Sequence, residues 1–202
     1  MAGSIHFGRP LTPGELACGL SHMQLWRQLL QDAEADAYVV LEDDVKLSDN
    51  LPEIVSALQN TDAAFVKLSG NQVKPMRKLG ELTSEVDLYK LAYGPLNTCA
   101  YFIRKEAVPR LLSYCYSMSL PIDTMLDRSF RHGVDIYAVI PYPVHPIPDN
   151  EDNSGALSSQ IGHRDYKYKS GKSELSKYGP RLYRLASSFF KRYAEIKLRL
   201  GM

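Results

Sequence analysis

The chain has 202 residues, 45% apolar and 23% charged, with a formal net charge of +1, which suits one soluble hydrophobic core and leaves little room for a second. No apolar run approaches the roughly 20 residues of a transmembrane helix, and Met1 to Pro10 does not read as a signal peptide. Cys18, Cys99 and Cys115 are odd in number and form no Cys-x-x-Cys pair, so free thiols in a reducing cytoplasm are expected rather than a disulfide framework.

Thr12-Pro13-Gly14-Glu15 reads as a capping box, with Pro13 at the first helical position, where its missing N–H costs nothing. Leu16, Leu20, Met23 and Leu30 recur at helical spacing, so the first helix is expected to run to about Ala33. Ala37 to Leu41 follows as a buried strand of an α/β sheet. Asn50 is placed as the cap of a short helix ending near Asn60, and Ala63 to Leu68 as the next buried strand. Ser69 to Glu85 lacks periodicity and reads as a long surface loop, of the kind that serves as a lid or acceptor flap. Val86 to Ala92 and Thr98 to Arg104 are expected strands around the turn Tyr93 to Asn97. Lys105 to Tyr116 and Ile122 to His132 are expected helices, the second stopped by Gly133. A strand over Val134 to Ile140 precedes a proline-rich extended loop, Pro141 to Gly155.

Glu42-Asp43-Asp44, directly after the first strand, is the stretch with chemistry in it. Three adjacent carboxylates repel one another unless a cation or hydrogen-bond donors neutralise them. Ligands bind at the carboxyl edge of α/β sheets, and hard ions such as Mg²⁺ or Mn²⁺ take carboxylate oxygens and bridge to phosphates. A metal–diphosphate site is the reading; a solvated acidic turn is the alternative.

Leu11-Thr12-Pro13-Gly14-Glu15-Leu16-Ala17-Cys18-Gly19-Leu20-Ser21-His22, then Trp26, then Leu41-Glu42-Asp43-Asp44-Val45, resembles glycosyltransferase family 25. That family includes bacterial lipooligosaccharide β-galactosyltransferases and, more distantly, collagen galactosyltransferases. Gly94 to Tyr101, Pro121-Ile122-Asp123 and Ser158-Ser159-Gln160-Ile161 are similar to further motifs of the family, and the likeness covers roughly Gly8 to Gly162. It implies a GT-A-like single α/β domain over residues 1–163, a mixed, mostly parallel sheet flanked by helices. It also implies a UDP-sugar donor, Mn²⁺ or Mg²⁺ as cofactor, and a lipid-linked or surface glycan as acceptor, with no nucleic acid as partner. Family members carry a strand of the type Ile-x-Val-Ile-x-Leu before the first helix. Here Met1 to Pro10 precede it, so a shortened N-terminus, a weaker base pocket and self-association through an exposed sheet edge are expected.

Site roles follow from the resemblance. Asp44 is the expected metal ligand, with Glu42 and Asp43 sharing metal, water or ribose contacts. His145 is a candidate to complete the metal shell, and His163 competes with it. Asp123 is the expected base that takes the acceptor hydroxyl's proton in an inverting transfer; the plainer alternative is an acid stabilising a helix N-terminus. Ser21 and His22 are expected donor contacts or, on the plainer reading, helix hydrogen bonding. Asn97 and Thr98 are expected sugar contacts. The function implied is transfer of a hexose, galactose foremost. The rival is an inactive family member that binds a glycan or a partner transferase.

Residues 164–202 hold eleven Lys/Arg and three Asp/Glu, a net of +8, which leaves −7 for the preceding thirteen bases and twenty acids. Such a tail points to an anionic partner. Leu182, Leu185, Phe189, Tyr193, Ile196 and Leu200 mark one face of a basic amphipathic helix, suited either to an anionic membrane surface at the cytoplasmic side or to packing on the catalytic core.

Overall fold

The Thr12 capping box forms as read: the Thr12 hydroxyl accepts from the Glu15 amide at 3.2 Å and the Glu15 carboxylate accepts from the Thr12 amide at 2.8 Å. A computed structural model of the chain describes residues 10–147 and 174–201. Ser158-Ser159-Gln160-Ile161 and His163 lie outside the described residues. From this cap helix α1 runs Pro13–Gln31 and leads into β1, Ala37–Leu41. The remaining elements follow as β2 (Val45–Leu47), α2 (Leu51–Gln59), β3 (Phe65–Lys67), β4 (Met76–Glu81), β5 (Asp87–Leu91) and β6 (Ala100–Arg104). A 3-10 turn and α3 (Val108–Cys115) come next, then α4 (Ile122–Leu126), α5 (Ser129–His132), β7 (Ile136–Ile140), β8 (Val144–Pro146) and α6 (Glu174–Arg199).

Six strands form one sheet in the order β1-β6-β3-β7-β5-β4, and β2 pairs with β8 in a separate ribbon. The sheet is mixed, as expected, but parallel pairing is confined to β3 and β7. Period-2 alternation sends the two faces into separate cores. Phe65, Tyr101, Ile103, Ile136 and Ala138 pack on the side of α1, α3 and α4, and Val66, Phe102 and Val139 pack under α2 with Ile54 and Leu58. This is a three-layer α/β/α arrangement.

Four expectations are corrected. β1 has the expected bounds but ends the sheet instead of lying inside it, and only Val40 of its residues is fully buried. Within Ser69 to Glu85 the exposed β4 pairs with β5; its charges and its irregularity at Lys78/Gly80 are the features of an edge strand, which carries no apolar alternation for a sequence to display. Asn50 occupies the cap of α2 without a side-chain cap bond; its side-chain amide donates to Glu85 at 2.9 Å. The helix expected over Ile122 to His132 breaks at Asp127-Arg128, and its C-terminal stop is Gly133 at φ 70°, the left-handed conformation glycine adopts without strain.

Helix α6 docks and leaves a face uncovered at the same time. Phe190 stacks on Phe130 with ring centroids 6.0 Å apart, Leu198 is 5% exposed, and the Tyr93 hydroxyl donates to Glu195 at 3.0 Å. The stripe singled out from the sequence is the other face: Leu185 and Phe189 are each 69% exposed, Ile196 55%. No described helix is long and apolar enough to cross a membrane.

Candidate functional site

Antiparallel pairing of β1 with β6 places Leu41 opposite Ala100, so the acidic triplet emerges beside Asn97 and Thr98. The Glu42 amide donates to the Cys99 carbonyl at 2.8 Å, extending the ladder one step past the strand. Beyond it the three acids diverge. Glu42 turns inward: its Oε1 accepts from the Thr98 hydroxyl at 3.2 Å and lies 3.7 Å from His22 Nε2. Asp43 is exposed, and Asp44 is half-buried. The Asp44 carbonyl accepts from the Ile147 amide at 2.9 Å, which continues the β2–β8 ribbon, where Lys46 faces His145. Alternation along that ribbon puts Asp44 and the exposed His145 on one face as diagonal neighbours.

His22 is 4% exposed. Its Nδ1 lies 2.9 Å from the Tyr101 hydroxyl, which also accepts from Trp26 Nε1 at 2.9 Å. Cys18, His22 and Trp26 lie four residues apart and share a helix face, so α1 presents a polar stripe to the buried Tyr101. Burial pushes the Tyr101 hydroxyl's pKa far up, which keeps it neutral and able to orient the imidazole. Ser21 is not part of this group: it is exposed, and its hydroxyl donates to the Ala17 carbonyl at 3.0 Å.

The turn Tyr93 to Asn97 is held from below. Leu96 and Asn97 have φ of 61° and 78°, a conformation that costs non-glycine residues free energy unless neighbours fix it. The Leu96 amide donates to the Asp127 carboxylate, the Gly94 amide donates to the Asp127 carbonyl at 2.9 Å, and Lys67 donates to the Asn97 carbonyl. A Cβ on Gly94 would collide with the Asp127 carboxylate. Lys67 Nζ lies 3.1 Å from Asp127 Oδ1, both side chains being almost fully buried. Burial raises the Asp127 pKa and the Lys67 charge opposes that shift. The Asn97 side chain donates to Asn71 at 3.1 Å and to Ser69 at 3.3 Å, and accepts from the Cys99 amide at 2.6 Å. A groove of about 160 Å³ runs alongside, lined by Gly70, Asn71, Val73, Pro95 and Tyr142 among others.

Asp123 opens α4 one turn before Asp127, whose amide donates to the Asp123 carbonyl at 3.2 Å. Its carboxylate accepts from the Thr124 amide at 2.6 Å and the Thr124 hydroxyl at 3.2 Å. Asp123 therefore precedes by one helical turn the Asp127 that holds the Tyr93 to Asn97 turn. Among the described residues, the one three-residue group with ligand atoms within 4.8 Å of one another is Cys18, His22 and Glu42. Glu42, Asp43, Asp44 and His145 do not form such a group. Lys67, Asp127, Tyr101 and Cys18 escaped the reading of the sequence as site residues; the signals available were a lysine inside the apolar run Phe65-Val66-Lys67-Leu68 and an acid after Leu126 where a core position is due.

The end of β1, where the acidic triplet meets polar side chains from other elements, is the kind of strand-end position at which α/β sheets bind ligands. The chain belongs to glycosyltransferase family 25: the family model described as glycosyltransferase family 25 (LPS biosynthesis protein) matches residues 2–126. The chain is similar to inactive glycosyltransferase 25 family member 3 of Mus musculus, with 32% identity over 143 residues, 67% of this chain and 24% of that protein. Procollagen galactosyltransferase 2 of Mus musculus is 30% identical over 139 residues, 64% of this chain and 22% of that protein. Lipooligosaccharide biosynthesis protein lic2B of Haemophilus influenzae is 28% identical over 153 residues, 65% of this chain and 53% of that protein. The chain thus spans about a quarter of the length of the animal relatives and about half that of the bacterial one.

Proposed function

We propose that the chain is a metal-dependent, inverting glycosyltransferase of the GT-A kind that moves a hexose, galactose foremost, from a UDP-sugar to a lipooligosaccharide or other surface glycan. The observation that carries this reading is the Thr98–Glu42 hydrogen bond, which joins the acidic triplet to the Asn97-Thr98 segment at one end of the sheet. Oxygen ligands from Asp43 and Asp44, with His145 on the same ribbon face as Asp44, suit Mn²⁺ or Mg²⁺ in donor chemistry. Such an ion, when bound, neutralises the charge of the leaving diphosphate.

The protein's own groups supply the rest. Asn97, anchored on three sides, borders the sugar, while Thr98, buried with its hydroxyl on Glu42, positions that carboxylate. The carboxylate of Asp123 takes the proton of the attacking acceptor hydroxyl. The groove between the 70–73 segment and Pro95 is the place for the acceptor, with the stretch before β4 as its wall. The exposed apolar stripe of α6, flanked by the exposed Arg192 and Arg199, supports attachment to an anionic membrane surface at the cytoplasmic side, where a lipid-linked acceptor is concentrated.

A second reading, an inactive family member that binds a glycan or a partner transferase, is favoured by one observation: Glu42 is drawn into hydrogen bonding with Thr98 and away from the outward acids. A transfer assay decides between them. UDP release from UDP-galactose that requires both Mn²⁺ and a lipooligosaccharide acceptor supports the enzyme, and release no faster than without protein supports the binder.

A further inference from the structure

The geometry points to a second, softer metal site: a Zn²⁺-class ion held by Cys18, His22 and Glu42, tying the acidic loop to α1. This inference is independent of glycosyl transfer, because it concerns residues on the inner side of the loop, away from the exposed Asp43. Cys18 and His22 are four residues apart on α1 and therefore stand one above the other on the same face. Glu42 leaves β1 directly opposite them, and one ligand atom from each of the three lies within 4.8 Å of the others.

The surrounding hydrogen bonds are those a metal site needs. A metal-bound imidazole is oriented through its other ring nitrogen, and ligating carboxylates are themselves hydrogen-bonded. Here His22 Nδ1 is engaged by the Tyr101 hydroxyl at 2.9 Å, itself fixed by Trp26, which turns Nε2 towards Glu42 Oε1 at 3.7 Å. Thr98 holds that same oxygen at 3.2 Å. Two ligands at about 2.0–2.1 Å from a tetrahedral Zn²⁺ stand about 3.3 Å apart, so the imidazole and carboxylate are already near coordination spacing. Rotation of Cys18 and Glu42, both partly exposed, closes the remainder. Three protein ligands leave a fourth position for water. Thiolate, imidazole and carboxylate together favour Zn²⁺ over Mg²⁺ or Mn²⁺. A nucleophilic thiol relay is a poorer fit, since one ring nitrogen is committed to Tyr101 and the other must serve both thiol and acid. Binding converts the Cys18 thiol to thiolate, and its proton passes to solvent.

The full-length, metal-stripped chain is titrated with Co²⁺ as a spectroscopic probe and then with Zn²⁺. One thiolate-bound Co²⁺ per chain, read from a thiolate-to-cobalt charge-transfer band that Zn²⁺ displaces, is the expected result. Cys18→Ser should abolish the band and Glu42→Gln should weaken Zn²⁺ binding at least about tenfold, while Asp44→Asn should retain both band and affinity. Absence of the band in the unaltered chain overturns the proposal without any variant. A band that survives in Cys18→Ser, or Zn²⁺ affinity unchanged in Glu42→Gln, also overturns it.

Discussion

The Glu42 carboxylate lies 3.7 Å from the His22 imidazole and not beside Asp43. The acidic triplet is thereby divided between two environments. Glu42, itself half-buried, belongs to a buried network with Thr98, His22, Tyr101 and Trp26, whereas Asp43 is exposed to whatever docks at the sheet end. Fixing Glu42 inside relieves part of the repulsion that three adjacent carboxylates would suffer. It also makes Asp44 the acid best placed to act with His145.

Removing the Lys67 charge should expose how the Tyr93 to Asn97 turn is held. Both members of the Lys67–Asp127 pair are buried, and breaking such a pair by deleting one partner costs about 3–5 kcal/mol. Lys67→Met is expected to lose that much stability in urea unfolding, with a large part recovered in the Lys67→Met/Asp127→Leu double variant. Stability unchanged in the single variant would contradict the assignment.

Acid should destabilise the protein through His132. Its Nδ1 accepts from the Val134 amide at 3.1 Å and its Nε2 faces the Leu126 carbonyl at 2.9 Å, so the neutral ring satisfies both neighbours. Burial lowers its pKa from 6.5 to about 4. Between these values the unfolded chain binds a proton that the folded chain refuses, so stability rises with pH there. The contribution is complete above pH 6.5, is lost as pH falls to about 4, and amounts to about 3 kcal/mol at 1.36 kcal/mol per unit. Asp127, with its raised pKa, acts in the opposite direction and is common to both proteins compared. His132→Gln should show a shallower loss between pH 7.5 and 4.5 in urea midpoints, and equal slopes would refute the claim.

How much of this was legible beforehand depended on whether a residue's role was local. The capping box at Thr12 and the bounds of β1 could be read because each is set by a few consecutive residues. The sheet-edge position of β1 and the antiparallel pairing that sets Glu42 beside Thr98 depend on partners 56 residues away. The break at Asp127 was hidden for a related reason: the carboxylate binds the Leu96 amide and Lys67, contacts with no trace in local periodicity. The apolar stripe of α6 read from the sequence is exposed at Leu185, Phe189, Tyr193, Ile196 and Leu200 and does not pack on the core, whereas Phe190 and Leu198, on a less conspicuous face, dock; the Leu182 side chain lies outside the described residues.

Asp123 can be tested as a base separately from its helix contacts. Asp123→Asn preserves an acceptor for the Thr124 amide but cannot take a proton. Turnover should fall by roughly 10²–10⁴-fold with UDP-sugar binding nearly unchanged, since the loss falls on the transition state. Near-normal turnover would assign Asp123 to opening α4.

The exposed stripe of α6 makes a prediction about membranes. Phe189→Glu/Ile196→Glu alters residues 69% and 55% exposed, so folding should survive. The unaltered chain should float with anionic vesicles at low salt and detach as salt rises, and the variant should remain in solution. Flotation of both to the same extent would remove the membrane role.

Calorimetric titration of UDP tests the central claim most directly. With Mn²⁺ present, the unaltered chain should bind UDP, and excess chelator or Asp44→Asn, which keeps the size of the side chain but removes its charge, should abolish that binding while the circular dichroism spectrum is preserved. UDP affinity that is the same with and without Mn²⁺, or the same in Asp44→Asn, would contradict a metal–diphosphate site at the end of β1.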